Sequence, residues 1–124
     1  MGQSFKDLVV WQRSIELTVD VYRLTSKFPE SERFGLTNQM RRASVSIASN
    51  IAEGYGRSTR GEYVQFPGHA RGSCSELETQ IVIARRLAFG APLNLKSTES
   101  HCNGVGRLLG ALMKSIRSKQ SAPP

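Results

Sequence analysis

The sequence predicts an all-α protein, an antiparallel up-and-down four-helix bundle that also associates with copies of itself. Three observations carry that expectation. Apolar residues recur at spacings of three and four in four segments, and no segment shows the alternation of a strand. Glycine and proline separate the segments where helices end. Two of the segments carry more apolar coverage than one buried face requires, which marks a partner surface. The 124 residues fit one domain, placed at residues 1–120, with Ser121-Ala122-Pro123-Pro124 as a disordered tail.

The first helix is expected from about Asp7 to Lys27. Leu8, Trp11, Ile15, Thr18 and Tyr22 form one stripe on it. Val10, Ser14, Leu17, Val21 and Leu24 form a second stripe facing elsewhere, assigned to self-association. Pro29 stops the helix by disfavouring helical geometry at Phe28. The second helix is expected from Ser31–Phe34 to Gly54. Its inner stripe is Leu36, Met40, Ala43, Ile47, Asn50 and Ile51, and its small second face is Val45, Ala48 and Ala52. The third opens with Thr59-Arg60-Gly61-Glu62, the pattern of a capping box. Its core line is Tyr63, Pro67, Ala70, Cys74, Leu77, Ile81, Ala84 and Ala88, and its period fits shallow-angle bundle packing. Pro67 removes a backbone donor within that line, so the helix is expected to bend there while remaining one element. Gly90 and Pro92 end it. The fourth helix is expected from Ser97 to about Ser118, with Val105, Leu108, Leu109, Leu112 and Ile116 inward.

Composition bounds the function. Asp7 breaks the early apolar run, so no secretory leader is read, and no run is long enough to span a membrane. The expectation is a cytoplasmic protein with Cys74 and Cys102 reduced. Seventeen basic residues, twelve of them arginine, face ten acids, for a formal net charge of +7. From Arg85 onward Arg85, Arg86, Lys96, Arg107, Lys114, Arg117 and Lys119 face Glu99 alone. Arginine grips phosphate through a planar fork, and such asymmetry points to a polyanionic partner, namely RNA or DNA.

Several motifs coincide with a known pattern. They are Phe5-Lys6-Asp7-Leu8-Val9-Val10-Trp11-Gln12, Gln39-Met40-Arg41-Arg42-Ala43, Ser46-Ile47, Asn50-Ile51-Ala52-Glu53-Gly54 with Arg57, Ala70-Arg71-Gly72-Ser73, and Glu76-Leu77-Glu78-Thr79. Through these, Phe5 to Phe89 resembles the bacterial four-helix-bundle family labelled rRNA-intervening-sequence proteins. The resemblance implies a ring-like homo-oligomer, usually a homopentamer, and no known enzymatic activity. The label describes genes lying inside insertions in rRNA. Relatives of this kind include the accessory variability determinant protein of diversity-generating retroelements, a basic pentamer associated with nucleic acid. Pro67 departs from the pattern, where leucine is expected.

Individual residues divide between packing and chemistry. Asn50, on the inner face, is expected to bond within the bundle. Glu53, Glu76 and Glu78 lack the Glu-x-x-His partner of a di-metal bundle, so no metal or other cofactor is expected; ion pairs with Arg41, Arg42 or Arg71 are. Cys74 sits on the core line with His69 on another face, which argues against a nucleophile. The Gly54–Gly61 loop is not a Walker motif, yet it places Arg57 and Arg60 beside a helix N-terminus, where anions are favoured, and Tyr55 within reach of a base. The expected nucleic-acid-binding set is Arg57, Arg60, Arg85, Arg86, Arg107, Lys114 and Arg117, on a non-enzymatic protein. The alternative is an adaptor that binds another protein through its ring surface.

Overall fold

The computed structural model describes residues 4–57 and 59–121. Four helices account for most of them: α1 Val9–Thr25, α2 Leu36–Tyr55, α3 Arg60–Arg86 and α4 Pro92–Ser121. Short 3-10 turns at Phe5–Asp7 and Glu30–Glu32 precede α1 and α2. No strand occurs among the described residues. The rest of the tail, residues 122–124, lies outside them. Each helix packs on its two neighbours in the cycle α1, α2, α3, α4, and the diagonal pairs do not meet among the described residues. Cross-helix bonds fix the direction. Thr18 Oγ1 donates to Ser44 O at 3.1 Å, whereas Thr25, further along α1, accepts from Arg41 Nε, earlier on α2. Ser73 to Ser46 and Cys102 to Cys74 tie the next two pairs of helices.

The core overturns the expected orientation of α1. Val10, Ser14, Leu17, Val21 and Leu24 are the buried stripe, whereas Ile15 and Tyr22 are exposed and Trp11 is half-buried. The buried stripe is aliphatic apart from Ser14, whose hydroxyl is already satisfied by Trp11 O at 2.6 Å. The other stripe carries the polar handles. Thr18 bonds to backbone at the α1–α2 edge, and Tyr22 lies under the Arg41 guanidinium at 4.5 Å. Such tips favour an edge over a dry interior. On α2 the inner stripe is buried except for Asn50, which is half-buried and donates locally to Ser46 O and Oγ. Val45 is exposed, Ala48 buried and Ala52 half-buried.

Capping explains the boundaries. Gly35 has no side chain to cap α2, and Glu32 Oε1 accepts from Leu36 N instead, at 3.1 Å. Thr59 caps α3 by accepting from Glu62 N at 3.1 Å, while the Glu62 carboxylate accepts from the Thr59 hydroxyl. α3 runs through Pro67 as one element, with Pro67 itself buried. Pro67 cannot donate to Tyr63 O, and α2 approaches that carbonyl through Gly54. A Cβ on Gly54 would lie 3.2 Å from Tyr63 O and 2.6 Å from Phe66 Cβ. The core line of α3 ends at Ala84. Ala88 is exposed, with φ 60°. Ala88 N donates to Arg85 O and Phe89 N to Ala84 O, the paired bonds of a Schellman stop. Pro92 does not follow the helix boundary at a distance; it is the first residue of α4, where its fixed φ and missing donor suit the opening turn. Leu95, Thr98, Cys102 and Met113 are buried on α4, Leu112 is half-buried and Leu108 is exposed.

Two stability changes are expected. Gly54→Ala forces α2 off Phe66 and should lower stability by about 1–3 kcal/mol, the usual cost of overpacking, in a denaturant melt. Ala88→Gly relieves a left-handed backbone and should raise stability by up to about 1 kcal/mol in the same assay.

Candidate nucleic-acid interface

The seven basic residues expected to contact phosphate do not form one patch. α3 has 27 residues, a length of about 40 Å at 1.5 Å per residue. Arg57 and Arg60 lie at its start and Arg85 and Arg86 at its end, so the two pairs sit at opposite ends of the bundle. Arg85 is held in a two-pronged ion pair by Glu99 at 3.0 and 3.3 Å, and its charge is locally matched. Arg86 is exposed.

The loop end is also different from the expected phosphate cradle. Arg57 pairs with Glu53 and lies 4.5 Å from the Phe66 ring centre. At the N-terminus of α3, Thr59 takes the Glu62 amide and the Glu62 carboxylate supplies negative charge to the first turn. Tyr55 is half-buried with its ring edge-on to Tyr63, 6.2 Å between centres. Burial, then Tyr55, raises the Tyr63 hydroxyl above its ordinary pKa. Arg57 and Arg60 remain at this end as surface cations, not as a built anion pocket.

Past Glu62 in the first turn of α3, the halves of α3 and α4 that adjoin this end carry no carboxylate. There is no Asp or Glu from Tyr63 to Ser75 or from Ser100 to Ser121. These stretches pack side by side. A Cβ on Gly68 would meet Met113 Cε at 3.6 Å, and one on Gly110 would meet the Arg71 guanidinium carbon at 3.6 Å. Arg71 therefore lies across α4 at Gly110, between the levels of Arg107 and Lys114. Lys114 and Arg117 continue the exposed basic surface toward the α2–α3 loop. The sequence suggests Arg71 only as an ion-pair partner for glutamate. The signal that could have found it is the run from Tyr63 to Ser75 around it, which holds no Asp or Glu. Arg107 leans the other way: its Nη2 would lie 3.9 Å from a Cβ on Gly104, and it lines the α1–α4 groove.

Other expected roles resolve locally. Glu53 pairs with Arg57 and not with Arg41, Arg42 or Arg71. Arg41 instead donates to Thr25 Oγ1 at 2.9 Å and stacks on Tyr22. Cys74 and Cys102 are buried free thiols, and the hydrogen bond with Cys74, then burial, pushes the Cys102 thiol far above its ordinary range. One pairing has no trace in local sequence: His101 Nδ1 meets Asp20 Oδ2 at 2.6 Å across 81 positions. No helix among the described residues is long and apolar enough to cross a membrane.

The fold and the placement of these side chains define a small all-α protein of the antiparallel four-helix-bundle class. The chain belongs to the 23S rRNA-intervening sequence protein family, whose model matches residues 6–111, as the motifs from Phe5 to Thr79 implied. A solved structure of a protein of unknown function from the S23 ribosomal protein family, from Bacteroides thetaiotaomicron, superposes with a TM-score of 0.79 at 21% identity. The match covers 86% of this chain and 96% of that one, and establishes a shared fold. No curated protein is significantly similar to this chain.

Proposed function

We propose that the protein is a non-enzymatic, cytoplasmic, oligomeric nucleic-acid-binding protein that holds RNA or DNA phosphates on the carboxylate-poor half of its α3–α4 face. The observation that carries this reading is the run of Arg71, Lys114 and Arg117 over stretches with no Asp or Glu, beside Arg57 and Arg60 at the same end. Phosphate contacts of this kind displace condensed counterions, give little sequence preference, and weaken steeply with salt.

Self-association belongs to the same proposal. With Val10, Leu17, Val21 and Leu24 consumed by the core, the apolar surface left on this side is Ile15, Val19 and Tyr22 of α1 with Val45 of α2, each about two-fifths exposed. They flank the α1–α2 edge, away from the α3–α4 basic face. A second copy covering this edge leaves that face open, and a ring of five, as the family resemblance implies, would carry a formal charge of five times +7. Repetition around the ring then raises avidity without new contacts.

Two measurements test the proposal. Fluorescence anisotropy with single-stranded and duplex RNA and DNA at two salt concentrations should show binding that falls with salt. The double variant Arg71→Glu with Lys114→Glu should shrink the salt slope by about one unit for each phosphate it no longer neutralises, with the thermal melt little changed. Salt-independent binding, or parental binding by the double variant, overturns the reading and leaves the face to a protein partner. Light scattering at micromolar concentration should give an oligomer for the parent and a monomer for Ile15→Glu with Val45→Lys. A parent that is monomeric, or a variant that assembles unchanged, removes the α1–α2 edge as the interface.

A further inference from the structure

The groove between the first half of α1 and the middle of α4 forms an open cleft of about 350 Å³ lined by Val9, Arg13, His101, Gly104, Val105, Arg107 and Leu108. Its chemistry is uneven. Val9, Gly104, Val105 and Leu108 make an apolar floor, and Val9 is 56% exposed although it opens a packed helix. Arg13 and Arg107 come from different helices to the same cleft, and among the described residues neither makes an ion pair. His101 is the third nitrogenous group. Asp20 engages its Nδ1 at 2.6 Å, about two turns along α1 from Arg13, so the ring is fixed in orientation and Nε2 is the nitrogen left for a ligand. The side chain of His101 is 37% exposed, within reach of solvent.

We infer that this groove binds a phosphate monoester attached to a flat ring, the chemistry shared by a nucleoside monophosphate and by the 5′-phosphorylated end of a strand. A terminal phosphate offers three acceptor oxygens and a charge of about −1.5 to −2, which matches the two guanidinium forks of Arg13 and Arg107. A backbone diester offers less charge and fewer free oxygens. The apolar floor takes the ring, whose burial covers Val9 and Leu108. Arg71 and Lys114 do not line the groove, so this inference stands apart from the polymer-binding face proposed above.

The test is isothermal titration calorimetry of the full chain at fixed pH and salt with adenosine monophosphate, adenosine and inorganic phosphate. The monophosphate should bind at one site per chain, with adenosine and phosphate each weaker by about tenfold or more. Arg13→Gln and Arg107→Gln should each weaken monophosphate binding by about tenfold, the loss of one charge-assisted hydrogen bond. Gly104→Leu keeps both arginines and should block the site by filling its floor, since a Cβ there meets only Arg107 Nη2, at 3.9 Å. Arg71→Glu with Lys114→Glu should leave monophosphate binding intact. A 5′-phosphorylated oligonucleotide that displaces the monophosphate where its 5′-hydroxyl counterpart does not identifies a strand end as a source; no displacement by either identifies the free nucleotide. Equal binding of adenosine and its monophosphate, or monophosphate binding unchanged in Arg13→Gln, Arg107→Gln and Gly104→Leu, overturns the inference.

Discussion

The rotation of α1 about its own axis decides what every other surface can be. A helix in a four-helix bundle buries one stripe, and α1 offers two. Burying Val10, Leu17, Val21 and Leu24 turns Arg13 and Asp20 toward α4, where Asp20 meets His101. The same choice puts Thr18, Tyr22 and Thr25 on the α2 edge, where they meet Ser44 and Arg41. The opposite choice would bury a tyrosine hydroxyl and a tryptophan N–H while exposing four aliphatic side chains. The difference lies in desolvation: a buried polar group without a partner costs about 1–3 kcal/mol, whereas Ser14, the polar member of the chosen stripe, bonds to its own helix.

What is legible in the sequence is what local chemistry controls. Thr59 and Glu62 announce the start of α3 because capping acts over three residues. The core line from Pro67 to Ala84 is readable because a single period dominates it. The two α1 stripes exchange roles between sequence and structure because both are apolar at helical spacing, and periodicity does not distinguish a core from an interface. The sequence points to Ser97 as the start of α4 only if Pro92 closes the helix before it. Yet proline suits the first turn, and the actual stop is the left-handed Ala88, an unexpected residue for that geometry. The Asp20–His101 pair leaves no mark in the sequence because its partners are brought together only by the closure of α1 on α4.

The charge map shows why counting cations along a chain differs from finding a surface. Arg85 and Arg57 look alike in the sequence to Arg71 and Lys114, but each has a glutamate in reach, one across α4 and one a turn back on α2. Exposed pairs of this sort contribute little to stability, with a median of about 0–1 kcal/mol. Their larger effect here is on the field, since a matched arginine attracts a distant polyanion much less than an unmatched one. Arg71 and Lys114 sit instead within Tyr63–Ser75 and Ser100–Ser121, where neither helix supplies a carboxylate to offset them.

Glycine connects these placements to stability. Each glycine inside a helix costs roughly 0.5–1 kcal/mol relative to alanine, and α3 and α4 carry several. Gly54 has a packing reason, the approach of Phe66. Gly110 and Gly104 have no such constraint: Arg71 and Arg107 lie 3.6 and 3.9 Å from the position a Cβ would take, which is ordinary contact distance. The two arginines leave α4 in opposite directions, Arg71 over the α3 side and Arg107 over the α1 side. One helix thus separates a broad polymer-facing surface from a compact groove.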